Sequence, residues 1–178
     1  MKREELEAAL VGGLEAGRVV LAEHDPAWAE RFAAERDRLA AALGPRALLI
    51  EHIGSTSVPG LAAKPIVDIC LCVADPEDEP AYAPDLLALG FEIRVRDPGH
   101  RMYRPASRDV NLHVYAPGDV EVARYLAFRD RLRAAPDDRA AYERRKRELA
   151  TREWEDINFY AEAKGDLIEA IIARSDST

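Results

Sequence analysis

The chain has 178 residues, a length that suits one domain with a sizeable hydrophobic core. Its 33 acidic and 25 basic residues give a formal net charge of −8, which argues against general binding to nucleic acid or to anionic membranes. No apolar run reaches the length of a membrane span, and the first ten residues lack the apolar core of a signal peptide, so we expect a cytoplasmic protein.

The first segment of the chain predicts a charged helical arm. Residues 1–16 have a helix-like composition that the pair Gly12-Gly13 interrupts weakly, and the predicted helix ends at Gly17. We therefore divide the chain into an N-terminal helical arm, residues 1–17, and a single domain, residues 18–178.

The domain begins with a predicted short strand over residues 18–23 and an amphipathic helix. Asp25 is a suitable N-cap for this helix, which a Gly-Pro pair ends at Gly44. Trp28 and Phe32 lie on its apolar side, and we expect both in the hydrophobic core.

The stretch EHIGSTSVPGLAAKPIVDICLCV, residues 51–73, concentrates polar groups at two strand ends. It combines a turn with backbone amides and hydroxyls, a cation after it, and a carboxylate inside an apolar strand: Gly54, Ser55, Thr56, Ser57, Lys64 and Asp68. A glycine lets the backbone approach a ligand, and the donors after it can bind an oxyanion. A carboxylate on a buried strand needs a cation, a metal or hydrogen-bond donors. The pattern indicates a site for phosphate and metal.

A structural interpretation of the same stretch stays open. Ser57 and Thr56 could cap a short helix, and Asp68 could accept hydrogen bonds from backbone amides.

The middle of the chain predicts a surface loop over residues 75–84, a short helix over residues 86–89, and a β-hairpin of residues 91–95 and 100–104. The hairpin carries arginines that could face the site or, the interpretation we favour, solvate an edge of the sheet: Arg94, Arg96 and Arg101.

Residues 109–115 alternate as a central strand does. Val110, Leu112 and Val114 share one face, and the polar face carries Asp109, Asn111, His113 and Tyr115. If this strand lies beside the Asp68 strand, His113 and Asp109 converge on Asp68. His113 could then be a metal ligand, a proton-transfer group or a structural histidine. Glu51 and His52 are weaker candidates for the same site.

Three helices in the C-terminal third each place one cation in an apolar seam: Arg129, Lys146 and Lys164. Buried cations are nearly always paired. Internal salt bridges, to Asp130 and Asp156 among others, are one solution. We favour the other, a pocket in which the three cations bind polyphosphate.

Together these motifs resemble the GrpB family. The resemblance is carried by HIGSTSVPGL-AAKPIVDI, by NLHVY and FRDRLR, and by the pairs Tyr142 with Lys146 and Tyr160 with Lys164. It implies an α+β, nucleotidyltransferase-like fold: a mixed sheet packed against helices, with a helical C-terminal third. The family is also found fused to dephospho-CoA kinases.

One position departs from the pattern of active nucleotidyltransferases. Those enzymes hold two divalent ions with a pair of acids two residues apart on this strand and a third acid on a neighbour. Here Cys70 follows Asp68 at that spacing, and a thiol is a poor ligand for Mg²⁺.

Three functions follow from these observations. The first is transfer of a nucleotidyl group to a small acceptor, with Asp68 and His113 as catalytic and metal-binding residues for Mg²⁺ or Mn²⁺. The second is a non-catalytic module that binds a nucleotide or a ligand related to coenzyme A and has lost the metal pair. The third, less favoured, is a metal-dependent hydrolase that uses Asp68 with His113.

Overall fold

The computed structural model describes residues 3–174, and its elements follow one another in an α+β order. The N-terminal part contains helix α1 (Arg3–Ala9), strand β1 (Gly17–Arg18) and helix α2 (Ala27–Leu43). The next part contains strands β2 (Leu49–Ile53) and β3 (Val67–Cys72), helix α3 (Ala83–Ala88), and strands β4 (Phe91–Asp97), β5 (His100–Pro105) and β6 (Val110–Tyr115). The last part contains helices α4 (Val120–Ala134) and α5 (Pro136–Ala150), strand β7 (Glu153–Trp154), and helices α6 (Ile157–Glu162) and α7 (Gly165–Ala173).

The main sheet has five strands in the order β2-β3-β6-β5-β4. Strands β3 and β6 are parallel neighbours, and every other pair in this sheet is antiparallel. The register places Asp68 opposite Asn111 and Cys70 opposite His113, so the polar side of β6 adjoins the single acid of β3.

The two faces of the sheet differ in polarity because side chains alternate along each strand. One face buries Ile69, Leu71, Leu112 and Val114 in the main core, together with residues of α2 and α3. The other face carries Asp68 and the polar residues of β6, and a smaller cluster on it contains Cys70 and Cys72. Both predicted faces are confirmed.

The C-terminal helices cover the polar face at one end of the sheet. Helix α4 begins at the N-cap Asp119, whose side chain accepts a hydrogen bond from the Glu121 amide. A cluster that contains Leu61, Leu132, Tyr142 and Ile171 joins the loop after β2 to α4, α5 and α7. The predicted helical C-terminal third is confirmed.

The predicted helix over residues 1–16 is too long. Helix α1 ends at Ala9, because Gly12 and Gly13 adopt φ angles of 92° and 77°, which are incompatible with a right-handed helix. Leu10 forms an antiparallel bridge to β4 instead. The first two residues of the predicted arm lie outside the described residues.

The strand predicted over residues 18–23 is also shorter than expected. Only Gly17–Arg18 form a strand, which pairs with β7, and Ala22 makes a single bridge to Ala63. Trp28 is buried in the core as predicted, whereas Phe32 is partly buried and its ring stacks on His52 with centroids 4.7 Å apart.

Two expectations about the middle of the chain need correction. The predicted surface loop contains a short 3-10 helix, Glu79–Ala81, and places Tyr82 in the core. The hairpin arginines do not simply solvate an edge: Arg94 and Arg101 are buried, and Arg101 forms ion pairs with Glu77 and Glu79.

The α+β class and the mixed sheet packed against helices, which a nucleotidyltransferase-like fold requires, are confirmed. Within residues 3–174, none of the helices combines the length and the apolar character that crossing a membrane requires.

Candidate functional site

The polar face of the sheet opens onto a cavity of about 900 Å³. The ends of β2, β3 and β6 form one wall, helices α4 to α7 form the opposite wall, and residues 10–18, which we call the N-terminal strap, run along the rim. Eight of the ten predicted site residues line this cavity: Gly54, Ser55, Thr56, Lys64, Asp68, His113, Lys146 and Lys164. Ser57 and Arg129 do not.

Gly54 brings the backbone of the turn against the Asp68 carboxylate. It adopts φ 69° and ψ −173°, a conformation that is nearly restricted to glycine. A Cβ atom at this position would collide with Oδ2 of Asp68. The glycine therefore permits a close approach of the backbone to Asp68, whereas the sequence motif predicted a close approach to a ligand.

The turn after Gly54 uses its hydroxyl groups in different ways. Ser57 Oγ donates to the Gly54 carbonyl at 2.6 Å, so its role is to hold the turn. Thr56 Oγ1 lies 3.0 Å from Nε2 of His52. Ser55 lines the cavity next to Tyr142. Among these hydroxyls, that of Ser55 is the one best placed for a ligand.

Asp68 is held by a row of polar side chains on β6 and β5. Asn111 Nδ2 donates to Oδ1 of Asp68 at 2.9 Å, and His113 Nε2 lies 3.8 Å from the same oxygen. On its other side, His113 Nδ1 is 3.1 Å from Nε2 of His100. Burial opposes ionisation of Asp68, but His113, Asn111 and the charge of Lys64 outweigh it and hold the pKa of the carboxyl below its usual value. Asp68 is thus an ionised hydrogen-bond acceptor at neutral pH.

His100 completes this row from the hairpin. Its ring stacks on those of His113 and Tyr115, with centroids 5.3 and 4.6 Å apart. Burial, together with the neighbouring His113 and Arg101, lowers the pKa of His100 to about 3. His100 is therefore neutral at pH 7, and it shares one proton with the Nδ1 side of His113.

Three lysines form the cationic part of the cavity, around the faces of two tyrosine rings. Lys164 Nζ lies 4.1 Å from the ring centroid of Tyr160 and 5.9 Å from that of Tyr142. Lys146 Nζ lies 5.1 Å from the Tyr142 centroid, and Lys64 Nζ lies 5.7 Å from the Tyr160 centroid. Lys146 also donates to the carbonyl oxygen of Ala62.

No carboxylate within residues 3–174 forms an ion pair with any of these lysines. Burial lowers the pKa of Lys146 to about 7 and, with the positive charges of Lys64 and Lys146, that of Lys164 also to about 7. Burial lowers the pKa of Lys64 as well, against the attraction of Asp68 and Asp156. The cavity therefore has unmet capacity for negative charge.

Arg129, which we expected in this pocket, lies elsewhere. Its Nη1 donates to Glu51 at 2.7 Å and to the His52 carbonyl at 3.1 Å, and its Nε donates to Asp130 at 2.7 Å. Its long side chain reaches across to β2, so the internal salt-bridge alternative is correct for this one cation. Glu51 is thereby engaged as well.

Asp109 is a second correction. We expected it to converge on Asp68, but its carboxylate pairs with Arg31 at 2.7 Å and accepts a hydrogen bond from Ser107 at 2.5 Å. Asn111, which lies two residues further along the chain, contacts Asp68 instead.

The side chains present do not fit a two-metal site. Cys70, at the position of the second acid, is completely buried in an apolar cluster, and burial raises the pKa of its thiol to about 12. Within residues 3–174, no three His, Cys, Asp or Glu side chains gather in a way that could hold a metal ion. Asp68 and His113 are two candidate ligands, and the cations beside them disfavour a further positive charge.

Three residues of the site have contacts that the sequence analysis did not predict. Asn111 appeared only as one polar residue of β6, although its register opposite Asp68 follows from the parallel pairing of the strands. His100 appeared only as the start of a hairpin strand, and its contact with His113 depends on the pairing of β5 with β6. Tyr160 was noted only for its spacing from Lys164; its hydroxyl is buried without a partner in the described part of the chain.

Comparisons with known proteins agree with the motifs. A family model described as GrpB protein matches residues 18–174. A UPF0157 protein of Streptomyces coelicolor is 52% identical over 93% of this chain and 89% of its own length. A dephospho-CoA kinase of Mycolicibacterium paratuberculosis is 32% identical over 82% of this chain and 43% of its own length. The crystal structure of the conserved protein GrpB from Enterococcus faecalis is 32% identical, with a TM-score of 0.76 over 88% of this chain and 96% of that one.

Proposed function

The chain belongs to the GrpB family, and we propose that it binds a phosphorylated small molecule, a nucleotide or a similar polyphosphate, in the lysine cavity. One observation carries this proposal: Lys64, Lys146 and Lys164 line one cavity without a carboxylate partner in the described chain.

The physical reason is the cost of confining like charges. Three ammonium groups in a largely buried cavity repel one another and lose hydration, so an unpaired arrangement is unfavourable without an anion. A phosphate carries the charge and the acceptor oxygens that such a cluster lacks. The Gly54 to Thr56 turn borders the same space and offers further donors.

Asp68 gives the cavity a second, opposite character. Its ionised carboxylate borders the same cavity and accepts hydrogen bonds. We infer that the lysines hold the phosphates of the ligand, while Asp68 accepts a hydrogen bond from a hydroxyl or amino group elsewhere on it.

Between the two leading functions, the donor set supports the binding module over two-metal nucleotidyl transfer, because Cys70 replaces the second acid. The similarity to part of a dephospho-CoA kinase makes coenzyme A and dephospho-CoA suitable members of a ligand panel.

A thermal-shift screen tests the proposal. The panel contains pyrophosphate, the four ribonucleoside triphosphates, coenzyme A and dephospho-CoA, each with Mg²⁺ and with EDTA. We expect at least one compound to raise the midpoint temperature of unfolding. At a ligand concentration of one hundred times the Kd, the folded protein should be stabilised by about 2.7 kcal/mol. We expect the affinity to survive EDTA.

Variants make the screen specific. Lys64→Met and Lys146→Met should each weaken binding about tenfold or more, because each removes a charged hydrogen bond. Arg129→Met is the matched control, since Arg129 pairs with Glu51 outside the cavity. The proposal fails if no compound shifts the midpoint, or if Arg129→Met weakens binding as much as the lysine variants do.

Catalysis has its own test. Release of pyrophosphate from a nucleoside triphosphate, dependent on Mg²⁺ or Mn²⁺ and lost in Asp68→Asn, would favour nucleotidyl transfer. Binding without pyrophosphate release across a panel of hydroxyl and amine acceptors would favour the module.

A further inference from the structure

The chain divides its positive charges very unevenly between arginine and lysine. It has 25 basic residues, of which only four are lysines. Lys2 lies outside the described residues, and the other three, Lys64, Lys146 and Lys164, all line the same cavity. A guanidinium binds phosphate at least as well as an ammonium, because it offers two parallel N–H donors. Lysine at all three positions therefore indicates a property that arginine lacks.

That property is the ability to lose a proton. Arginine stays charged in proteins, whereas the amine of a buried lysine becomes neutral and nucleophilic. The arginines that line the cavity are each paired with a carboxylate or with backbone carbonyls: Arg18, Arg94, Arg104, Arg108 and Arg124. Among the cations that line the cavity, within the part of the chain that the structure covers, only Lys64 and Lys164 have neither a carboxylate nor a carbonyl partner.

Lys164 has the surroundings that favour a neutral amine most strongly. Lys146 donates to a backbone carbonyl, whereas the Lys164 side chain forms no hydrogen bond or ion pair within residues 3–174. The Lys164 amine lies near the faces of two tyrosine rings. Burial and the cations of Lys64 and Lys146 lower its pKa, and the carboxylate of Asp68 opposes them. Two neighbouring cations and burial both disfavour a proton on this nitrogen, as in enzymes that use an amine nucleophile.

We propose that Lys164 is a nucleophilic amine that forms an imine with a phosphorylated aldehyde or ketone, whose phosphate Lys64 and Lys146 hold. This inference rests on the proposed function and narrows its ligand class. The Lys164 nitrogen adds to the carbonyl carbon and loses two protons, the carbonyl oxygen leaves with them as water, and a C=N double bond forms. The step needs neither an oxidant nor a reductant. The unpaired hydroxyl of Tyr160 is a candidate to deliver a proton to the leaving oxygen.

Pyridoxal 5′-phosphate is a suitable probe because it is a phosphorylated aldehyde. The protein is treated with it, the imine is fixed with borohydride, and peptide mass spectrometry locates the adduct. We expect one adduct per chain, at Lys164, formed at neutral pH at least tenfold faster than on Nα-acetyllysine. The rate should rise with a midpoint near pH 7, not near the usual value of about 10.4.

Controls separate covalent reaction from simple binding. Unphosphorylated pyridoxal should react more slowly, pyrophosphate should protect Lys164, and Lys164→Arg should lose the adduct while keeping a positive charge. An adduct on Lys64 or Lys146, or an unlabelled Lys164, overturns the assignment.

The outcome also distinguishes this inference from the proposed function. If pyrophosphate binds in a calorimeter and Lys164 stays unlabelled, the imine inference fails and the binding function stands. If no compound of the panel binds and pyrophosphate does not protect Lys164, both fail.

Discussion

At the scale of single residues, Gly54 and Asp68 constrain each other. We expect Gly54→Ala to lower the free energy of unfolding by about 3 kcal/mol, through a strained backbone and a collision with the carboxylate. Gly60→Ala is the matched control: its φ of 77° is equally unusual, but its Cβ meets open space, so it should cost only about 1 kcal/mol. Urea unfolding measures both, and equal losses would contradict the close approach to Asp68.

The buried lysines that bind the ligand should also lower the stability of the ligand-free protein. The pKa of Lys164 in the folded protein, about 7, is below its unfolded value of about 10.4. The unfolded chain therefore binds more protons between these values, and the free energy of unfolding rises with pH, by at most about 1.4 kcal/mol per pH unit for this lysine. Below pH 7 the destabilising effect of the buried charge is fully present.

Lys164→Met should remove that effect. The ligand-free variant should be more stable than the wild type at pH 6.5, by about 1–4 kcal/mol, and the difference should shrink by pH 8.5. Urea unfolding at the two pH values measures the change. A variant that loses stability equally at both values would show that the ammonium is satisfied in the folded protein.

The outcome at Lys146, Lys164 and Arg129 shows which part of a site is readable from sequence. Helical spacing placed all three cations on inward seams, and both lysines do line the cavity, although Lys164 lies between α6 and α7 and not inside one continuous helix as predicted. The prediction for Arg129 was wrong because its longer side chain pairs with Glu51 on β2. The proximity of Glu51 depends on how α4 packs against the sheet. Local periodicity predicts the direction of a side chain, but tertiary packing decides its partner.

At the scale of elements, the N-terminal strap is held at the cavity rim by β4 and β5. Arg94, only 4% exposed, donates to the carbonyls of Val11 and Gly13 at 2.6 Å each. Arg104 pairs with Glu15 on the same strap. The strap thus depends on arginines whose burial the sequence did not reveal.

Arg94→Met should release the strap. It leaves two carbonyls without their charged donor, so we expect a loss of about 1.5–3 kcal/mol in strap docking and faster proteolysis at Gly12-Gly13. Arg96→Met is the control on the same strand, because Arg96 is exposed and pairs with Glu79. Equal cleavage rates in the two variants would contradict this role of Arg94.

Strand pairing was predictable where the alternation was clear. The polar and apolar faces of β6 follow from period-two patterning, and the parallel neighbour β3 follows from the fold that the motifs imply. The end of helix α1 was not predictable in the same way. Helix-favouring residues stand before Gly12 and after Gly13, and they conceal how strongly two consecutive glycines end a helix.

At the scale of the whole molecule, buried histidines predict acid sensitivity. Burial lowers the pKa of His52 to about 4 and that of His100 to about 3, both below the unfolded value near 6.5. As pH falls from 6.5 to 5, the unfolded chain gains protons that the folded chain does not, so stability falls, by at most about 1.4 kcal/mol per unit per histidine. Urea unfolding should show this slope, reduced by about half in His100→Gln. An unchanged slope in that variant would contradict a neutral buried His100.

The proposed function requires that the phosphate-binding lysines of the cavity, Lys64 and Lys146, hold more protons once an anion is bound. Calorimetric titration with ATP at pH 8, in buffers of different ionisation enthalpy, tests this most directly, because the terminal phosphate of ATP is already ionised there. We predict binding with uptake of roughly one proton per ATP, as the phosphates that Lys64 and Lys146 hold raise the pKa of Lys146 from about 7. A titration without binding heat would contradict this proposal. So would a binding heat that is the same in buffers of different ionisation enthalpy, because it would show that no proton is taken up.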